Sequence, residues 1–187
     1  DIQEFLIMLR TGWPRFRPLL TVLAWYLIAG LLLRAALWWS FGRIAEVSDT
    51  GFFGTLVTGI AADAVQALYL FAPFAFVAWL ASDRAYRSRP MRITILAVSG
   101  ITFFGLTFLA AVEYFFFQEF DARFNLVSVD YLLYPTEVVG DIWIAYPVVT
   151  VATIVAALSV VTVAVLRRPL LAGTQATTTL RARSAAR

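Results

Sequence analysis

Four long runs of apolar residues constrain this chain more than any other feature of its sequence. They cover residues 18–41, 52–81, 93–117 and 144–166, and each is long enough to cross a bilayer, which takes about 20 residues in a helix. At this length in lipid, helices satisfy all of their own backbone hydrogen bonds. We therefore predict an all-α fold: a polytopic membrane protein with a bundle of four transmembrane helices over residues 18–166, and short interfacial helices on the outer side.

Composition agrees with a membrane protein and removes several classes of chemistry. Hydrophobic residues make up 61% of the 187 residues and charged residues 14%, against roughly 45–50% and about 25% in soluble domains. There is no Cys and no His, and all 15 basic residues are Arg. Thiol nucleophiles, Cys–His metal clusters, Ser-His-Asp triads and Schiff bases on lysine are therefore excluded. We expect no cofactor in this chain and no nucleic-acid partner, because the arginines form short clusters between apolar runs.

The distribution of arginine predicts the orientation of the helices. One side of the membrane receives residues 1–17, the loop between the second and third runs, and residues 167–187. These segments hold Arg10, Arg15, Arg17, Arg84, Arg87, Arg89, Arg92, Arg167, Arg168, Arg181, Arg183 and Arg187. The other side receives only Arg43 and Arg123. Because arginine accumulates on the cytoplasmic side, we expect both termini in the cytoplasm, with residues 118–143 as an outer interfacial segment.

Three ionisable residues lie inside the apolar runs, where a charge is costly. Arg34, Asp63 and Glu113 all fall in the outer half of the membrane when depth is counted along each helix. Such residues usually face the interior of a bundle or water. We expect Arg34 to pair with Asp63, with Glu113 as the competing partner. Two interpretations stay open: a polar pocket that receives a lipid headgroup, and a structural pair that fixes helix packing; Gln66, one turn from Asp63, is compatible with either.

The outer segment 118–143 is too polar to span a membrane and too aromatic for a free loop. We predict one or two short helices at the outer surface, interrupted at Tyr134–Pro135, with Thr136 as the N-cap of the second. The spacing of the carboxylates does not match an EF-hand loop, so we predict no metal site and expect local pairing with Arg123. Its other candidate polar residues are Asn125, Asp130 and Glu137. Arg123 is the best candidate for a phosphate contact, because a guanidinium binds phosphate bidentately.

The outer segment also resembles a known family. The stretch from Glu113 to Pro147 contains EYFFFQEFDARFN, VDYLLY, EVVGDI and YP. It is similar to the membrane domain of bacterial lipoteichoic-acid-synthase-like, sulfatase-fold phosphoglycerol and phosphoethanolamine transferases. The second apolar run resembles the same domain in GIAADAVQALYLFAP, with Asp63, Tyr69 and Pro73 at matching places.

The resemblance implies a multi-pass protein of the bacterial cytoplasmic (inner) membrane. Members of the family carry a large extracytoplasmic catalytic domain with a Thr nucleophile and a divalent metal held by acidic and His residues. This chain has no His, so we expect no catalytic residues in it. The resemblance implies an anchor for such a catalytic domain, reached through one more helix after Arg187, and a role in presenting a membrane lipid. The lipid-binding residues that we predict are Arg34, Asp63, Gln66, Glu113, Arg123, Asn125, Asp130 and Glu137.

A non-catalytic function is the alternative. The chain would then be an accessory or scaffolding subunit of a larger membrane complex, with its lipid-facing helices and its outer segment as the docking surface. A fold alone does not decide between an enzyme part and such a subunit. A small transporter has less support, because the sequence has neither an internal repeat nor a pair of interrupted helices.

Overall fold

A computed structural model describes residues 2–42, 48–123 and 135–175 of the chain. The helices in these ranges are α1 (Ile2–Leu37), α2 (Asp49–Leu80), α3 (Asp83–Tyr86), α4 (Arg89–Phe120), α5 (Pro135–Ala145) and α6 (Val148–Ala172). A π-helical turn, Trp38–Gly42, ends α1, and a 3-10 turn, Gly173–Gln175, follows α6. These ranges contain no strand, and the predicted all-α class is confirmed.

Four of these helices are long and apolar enough to cross a membrane. The candidate spans are Arg15–Gly42, Thr50–Leu80, Arg89–Phe120 and Val148–Ala172. The prediction of four transmembrane helices is therefore confirmed, although their ends differ from the predicted ones. Apolar residues continue into the flanking turns of a helix, so hydropathy alone does not fix where a helix ends.

The largest differences between predicted and observed helix ends are in the first and last helices, α1 and α6. The helix α1 begins at Ile2, so that residues 2–17, which we expected to precede the first helix, continue it. The helix α6 begins at Val148 and not at residue 144, because Tyr146 and Pro147 separate it from α5. It extends to Ala172, beyond the predicted end at residue 166.

The outer segment contains the short helix that the sequence predicts. This helix, α5, begins at Pro135 itself, so Thr136 lies in its first turn and is not the N-cap. Proline is favoured at the first helical position because its missing N–H has no partner there in any case. Residues 124–134, and with them Asn125 and Asp130, lie outside the described residues, as does the side chain of Glu137.

The helix α1 lies at the centre of the packing. It packs against α2, α4 and α6, while α4 and α6 pack along each other. A small apolar cluster joins these four helices and consists of Val22, Ala67, Phe71, Phe103 and Leu170. The ring of Trp25 meets Phe103 edge to face, with centroids 5.4 Å apart. The helix α2 packs chiefly against α1, so most of its apolar surface stays exposed to the surrounding lipid.

Aromatic rings hold the helix ends on the predicted outer side together. Trp38 in the π-helical turn stacks on Phe52 at the start of α2, with centroids 4.5 Å apart. Phe41 of the same turn contacts Phe117 of α4 at 5.1 Å. Trp and other aromatic residues prefer the interface between lipid and water, and here they also fix the end of α1 between its two neighbours.

Arg15 holds the opposite end of α2, a contact that we did not predict. Its guanidinium donates hydrogen bonds to the carbonyl oxygen of Ala78 at 2.6 Å and to that of Ala81. Carbonyls at the end of a helix have no partner within the helix, and a cation there also meets the negative end of the helix dipole. The guanidinium lies 4.6 Å from the centroid of Tyr86, whose hydroxyl donates to the Arg15 carbonyl at 2.7 Å. Arg15 is only 7% exposed.

Single cysteines at the two ends of α2 test the predicted orientation. Thr50 is exposed at the start of α2, and Arg84 is exposed in α3, just after the other end of α2. The chain has no Cys of its own. We expect Thr50→Cys to react with a membrane-impermeant thiol reagent in intact cells and Arg84→Cys to react only after permeabilisation, because arginine marks the cytoplasmic side. Both changes leave intact Ser48 and Ser88, whose hydroxyls cap α2 and α4. Labelling at Arg84→Cys alone in intact cells would reverse the orientation.

Tyr86 makes the stability of the fold sensitive to alkaline pH. Burial raises the pKa of Tyr86 above its ordinary value, and nearby Arg15 partly opposes this. Since the folded pKa is the higher one, the stabilisation by neutral Tyr86 is complete below a pH of about 10 and is lost as the pH rises through the folded pKa. We expect thermal unfolding of Tyr86→Phe in detergent to depend less on pH above about 10 than that of the wild type. Equal pH dependence of Tyr86→Phe and the wild type would contradict this role for Tyr86.

Candidate functional site

A bidentate ion pair joins α1 to α2 within the membrane. Nη1 of Arg34 donates to Oδ2 of Asp63 at 2.6 Å, and Nη2 donates to Oδ1 at 2.9 Å. Nη2 also donates to the carbonyl oxygen of Gly59 at 3.3 Å. Two parallel bonds between a guanidinium and a carboxylate combine strength with a fixed orientation. The predicted pairing of Arg34 with Asp63 is confirmed. The competing carboxylate, Glu113, pairs with Arg123 instead.

Burial shows which of the two interpretations of this pair fits. Arg34 is 5% exposed and Asp63 is 8% exposed, and Nε of Arg34 is buried with no hydrogen-bond partner among the described residues. An unpaired charge at this depth costs about 2.5–3.5 kcal/mol on insertion scales. A headgroup approaching from the outside meets neither charged group in this arrangement. The geometry therefore favours the structural interpretation for Arg34 and Asp63.

Two glycines make room for this ion pair. A Cβ atom at Gly59 would overlap Nε of Arg34, and a Cβ atom at Gly30 would lie 2.7 Å from Oδ2 of Asp63. Each glycine precedes the charged residue of its own helix by four positions, and therefore lies on the same helix face. Neither glycine was predicted, although the spacings Gly-x-x-x-Arg and Gly-x-x-x-Asp can be read from the sequence.

A second ion pair lies at the C-terminal end of α4. Nε of Arg123 donates to Oε1 of Glu113. The helix ends at Asp121, which adopts the left-handed conformation with φ of 49°, and the chain then places Arg123 back over the last turns of α4. The Arg123 side chain is 47% exposed, whereas that of Glu113 is 12% exposed. Arg123 is therefore the group of this pair that solvent and headgroups reach.

The two ion pairs hold four charges of alternating sign on three helices, and we refer to these four residues as the row of charges. Asp63 lies on α2, Arg34 on α1, Glu113 on α4, and Arg123 just after α4. Glu113 also attracts Arg34 electrostatically, although the two form no direct ion pair. The four formal charges cancel, which lowers the cost of holding them in a medium of low dielectric constant.

Gln66 lies one turn from Asp63, and its partner is Tyr26 of α1. Its side-chain oxygen Oε1 accepts a hydrogen bond from the hydroxyl of Tyr26 at 3.0 Å. The charges of Asp63, Arg34 and Arg123 all act on this hydroxyl, so the Tyr26–Gln66 contact borders the row of charges. Tyr26 was not predicted, because nothing in the sequence distinguishes it from the other aromatic residues of the first run.

The remaining predicted site residues lie in the outer segment. Asn125 and Asp130 fall outside the described residues, and so does the side chain of Glu137. The structure therefore brings together Arg34, Asp63, Glu113 and Arg123, with Gln66 at their border. Within the described part of the chain, no three acidic residues are placed to hold a metal ion.

Substitution of Gly59 tests the close approach of α2 to the guanidinium. We expect Gly59→Ala to lower the free energy of unfolding by about 1–3 kcal/mol, the usual cost of overpacking, because its Cβ would overlap Arg34. The matched control is Gly54→Ala on the same helix, where a Cβ meets nothing within 4 Å. That change should be neutral or stabilising, because Ala is the better helix former. The measurement is thermal unfolding in detergent, and equal stability of the two variants would contradict the proposed approach.

Comparisons of the chain with protein-family models, with curated proteins and with solved structures found no match. The resemblance to phosphoglycerol and phosphoethanolamine transferases is therefore an expectation from residues 113–147 and from the second apolar run, and no match supports it.

Proposed function

We propose that this chain is the membrane anchor and lipid-presenting domain of a sulfatase-like phosphoglycerol or phosphoethanolamine transferase. The observation that carries the proposal is the half-exposed guanidinium of Arg123, held at the outer end of α4 by the largely buried carboxylate of Glu113. The resemblance of this same stretch to the membrane domain of such transferases supports the headgroup chemistry.

The geometry of Arg123 suits a phosphate at the membrane surface. A guanidinium has five N–H donors, and Glu113 engages the one on Nε. This bond orients the planar group, so that less side-chain entropy is lost when a phosphate binds. Glu113 lies seven residues before the end of α4 at Phe120, which places its Cα about 10 Å below that end. The bond to Glu113 would then keep a bound headgroup near this end of α4.

The buried pair acts in this proposal as a positioning element. Arg34 and Asp63 hold α2 against α1, and the aromatic contact of Phe41 with Phe117 connects the end of α1 to the last turn of α4. The Arg123 side chain lies against that same part of α4. A rigid outer end keeps the guanidinium in one place, which a lipid-presenting site requires.

The chain itself supplies no group for the transfer step. The resembling family uses a Thr nucleophile and a metal bound by acidic and His residues, and this sequence has no His. In the proposal, the catalytic residues therefore belong to a separate extracytoplasmic domain. The bacterial cytoplasmic (inner) membrane is the proposed location.

Binding of a short-chain anionic phospholipid to the purified chain in detergent tests the proposed headgroup contact. We expect Arg123→Gln to weaken the binding of phosphatidylglycerol by about tenfold, the size of one charge-assisted hydrogen bond. We expect no comparable loss with phosphatidylcholine. The controls are Arg43→Gln, which lies on the same predicted side but outside the described residues, and the exposed Arg84→Gln at the opposite end. Equal losses in all three variants would show unspecific charge attraction and would contradict the site.

One observation favours the accessory-subunit function as a second candidate. Tyr69 lies near the middle of the α2 span and is 80% exposed, and its hydroxyl forms no hydrogen bond to another described residue. A hydroxyl in the hydrocarbon region favours a partner that can bond to it. A helix of another subunit packed on this face of α2 would supply that partner.

Mild extraction of the natural assembly distinguishes the two candidates. If the chain is a subunit, native mass measurement should show a complex with another polypeptide, and Tyr69→Phe should weaken that complex because the interhelical hydrogen bond is lost. The control is Phe74→Leu on the same helix, a volume change without a polar group. A single polypeptide that carries both this sequence and a metal-binding catalytic domain would instead support the anchor.

A further inference from the structure

An apolar groove of about 580 Å³ runs between α1 and α6. Its lining covers residues 17–28 of α1 and residues 161–169 of α6. The groove therefore lies toward the opposite end of α1 from Arg34 and the row of charges. Ala24, Trp25 and Ile28 line its α1 side. The groove is thus separate from the site around Arg123.

The length of the groove matches one leaflet of a bilayer. On α1 its lining extends from Arg17 to Ile28, which at 1.5 Å per residue is about 16 Å. Half of the hydrocarbon thickness of a typical bilayer is about 15 Å. A chain that fills the groove from one end to the other would therefore have the length of a single acyl chain in that leaflet.

Small side chains leave this space open. Ala24 on α1 faces the groove, and Thr21, one turn before it, donates its hydroxyl to the carbonyl oxygen of Arg17 at 2.8 Å. That hydroxyl is thereby satisfied without a ligand. The indole of Trp25 lines the groove and packs edge to face on Phe103, which ties this wall to the core of the bundle.

Charge is confined to one end of the groove. Arg17 is the charged residue of its lining, it is exposed, and it lies two residues inside the start of the candidate span Arg15–Gly42. The remainder of the lining is apolar apart from Thr21, Thr162 and the Trp25 indole. A long apolar wall with a cation at the headgroup end is complementary to a phospholipid, with the phosphate at the cation and the tail along the wall.

We propose that the α1–α6 groove binds one anionic phospholipid from the leaflet on the Arg17 side. Its phosphate contacts the guanidinium of Arg17, and one acyl chain lies along Ala24, Trp25 and Ile28. This proposal is independent of the headgroup site at Arg123, because the two sites lie at opposite ends of the bundle and use different leaflets.

Quenching of Trp25 fluorescence by brominated acyl chains tests the groove in the complete chain reconstituted in phosphatidylcholine. Phosphatidylglycerol or phosphatidylcholine with brominated chains is titrated over the same range of low mole fractions, and the Trp25 signal is the part that Trp25→Phe removes. We expect brominated phosphatidylglycerol to quench this signal at about one-fifth of the concentration that brominated phosphatidylcholine requires. One arginine near the membrane surface favours an anionic lipid by about this factor.

Two matched pairs of variants locate the effect. Arg17→Gln should remove the preference for phosphatidylglycerol, whereas Arg167→Gln should keep it, because Arg167 is exposed near the same end of α6 but does not line the groove. Ala24→Phe should fill the groove and reduce quenching by both lipids. Ala164→Phe should not reduce the quenching, because Ala164 lies on α6 but does not line the groove. Equal quenching of the wild type by the two lipids would overturn the proposal. So would equal loss of the preference in Arg17→Gln and Arg167→Gln, or unchanged quenching in Ala24→Phe.

Discussion

The buried ion pair between Arg34 and Asp63 determines how α2 attaches to the rest of the protein. In lipid, apolar side chains gain little by leaving one apolar environment for another, so helix association depends on close packing and on polar contacts between helices. The helix α2 packs chiefly against α1 and exposes much of its apolar surface. A bidentate pair with fixed geometry therefore sets both the rotation of α2 and its depth relative to α1. Gly30 and Gly59 permit the approach on which the pair depends.

A second polar contact holds α2 at the other end of the bundle. Arg15 bonds to the terminal carbonyls of α2, and Arg15 and Arg34 are separated by 19 positions of the same helix, or about 28 Å. The two arginines of α1 thus hold α2 at points almost a full hydrocarbon thickness apart. Because both bond to internal partners, the guanidiniums that contact lipid phosphates in our proposals are exposed ones, Arg123 after α4 and Arg17 at the opposite end of the bundle. This division separates structural arginines from the ones proposed to bind lipid.

The sequence predicts the main features of this arrangement because they follow from the cost of polar groups in lipid. Four apolar runs give the four spans, and the matched depth of two opposite charges gives the Arg34–Asp63 pair. Features that depend on the rotation of one helix against another were not predictable in the same way. From the sequence, Arg15 indicates only the orientation of the first helix, because its bonds to the end of α2 depend on how the two helices pack. The Glu113–Arg123 bond depends on the left-handed conformation of Asp121. Helix ends also shift, since apolar composition continues from α5 into α6 and only Pro147 marks the break.

A double-mutant cycle on Arg34 and Asp63 tests most directly whether the buried pair holds the fold together. Thermal unfolding in detergent would be measured for Arg34→Ala, Asp63→Ala and the double variant, with a parallel cycle on Arg34 and Glu113. Each single change in the first cycle should cost about 3–5 kcal/mol, because it leaves a buried charge without its partner. The double variant should cost less than the sum, with a coupling of about 1–3 kcal/mol that exceeds the coupling to Glu113. Additive costs for Arg34 and Asp63, within about 0.5 kcal/mol, would contradict the account.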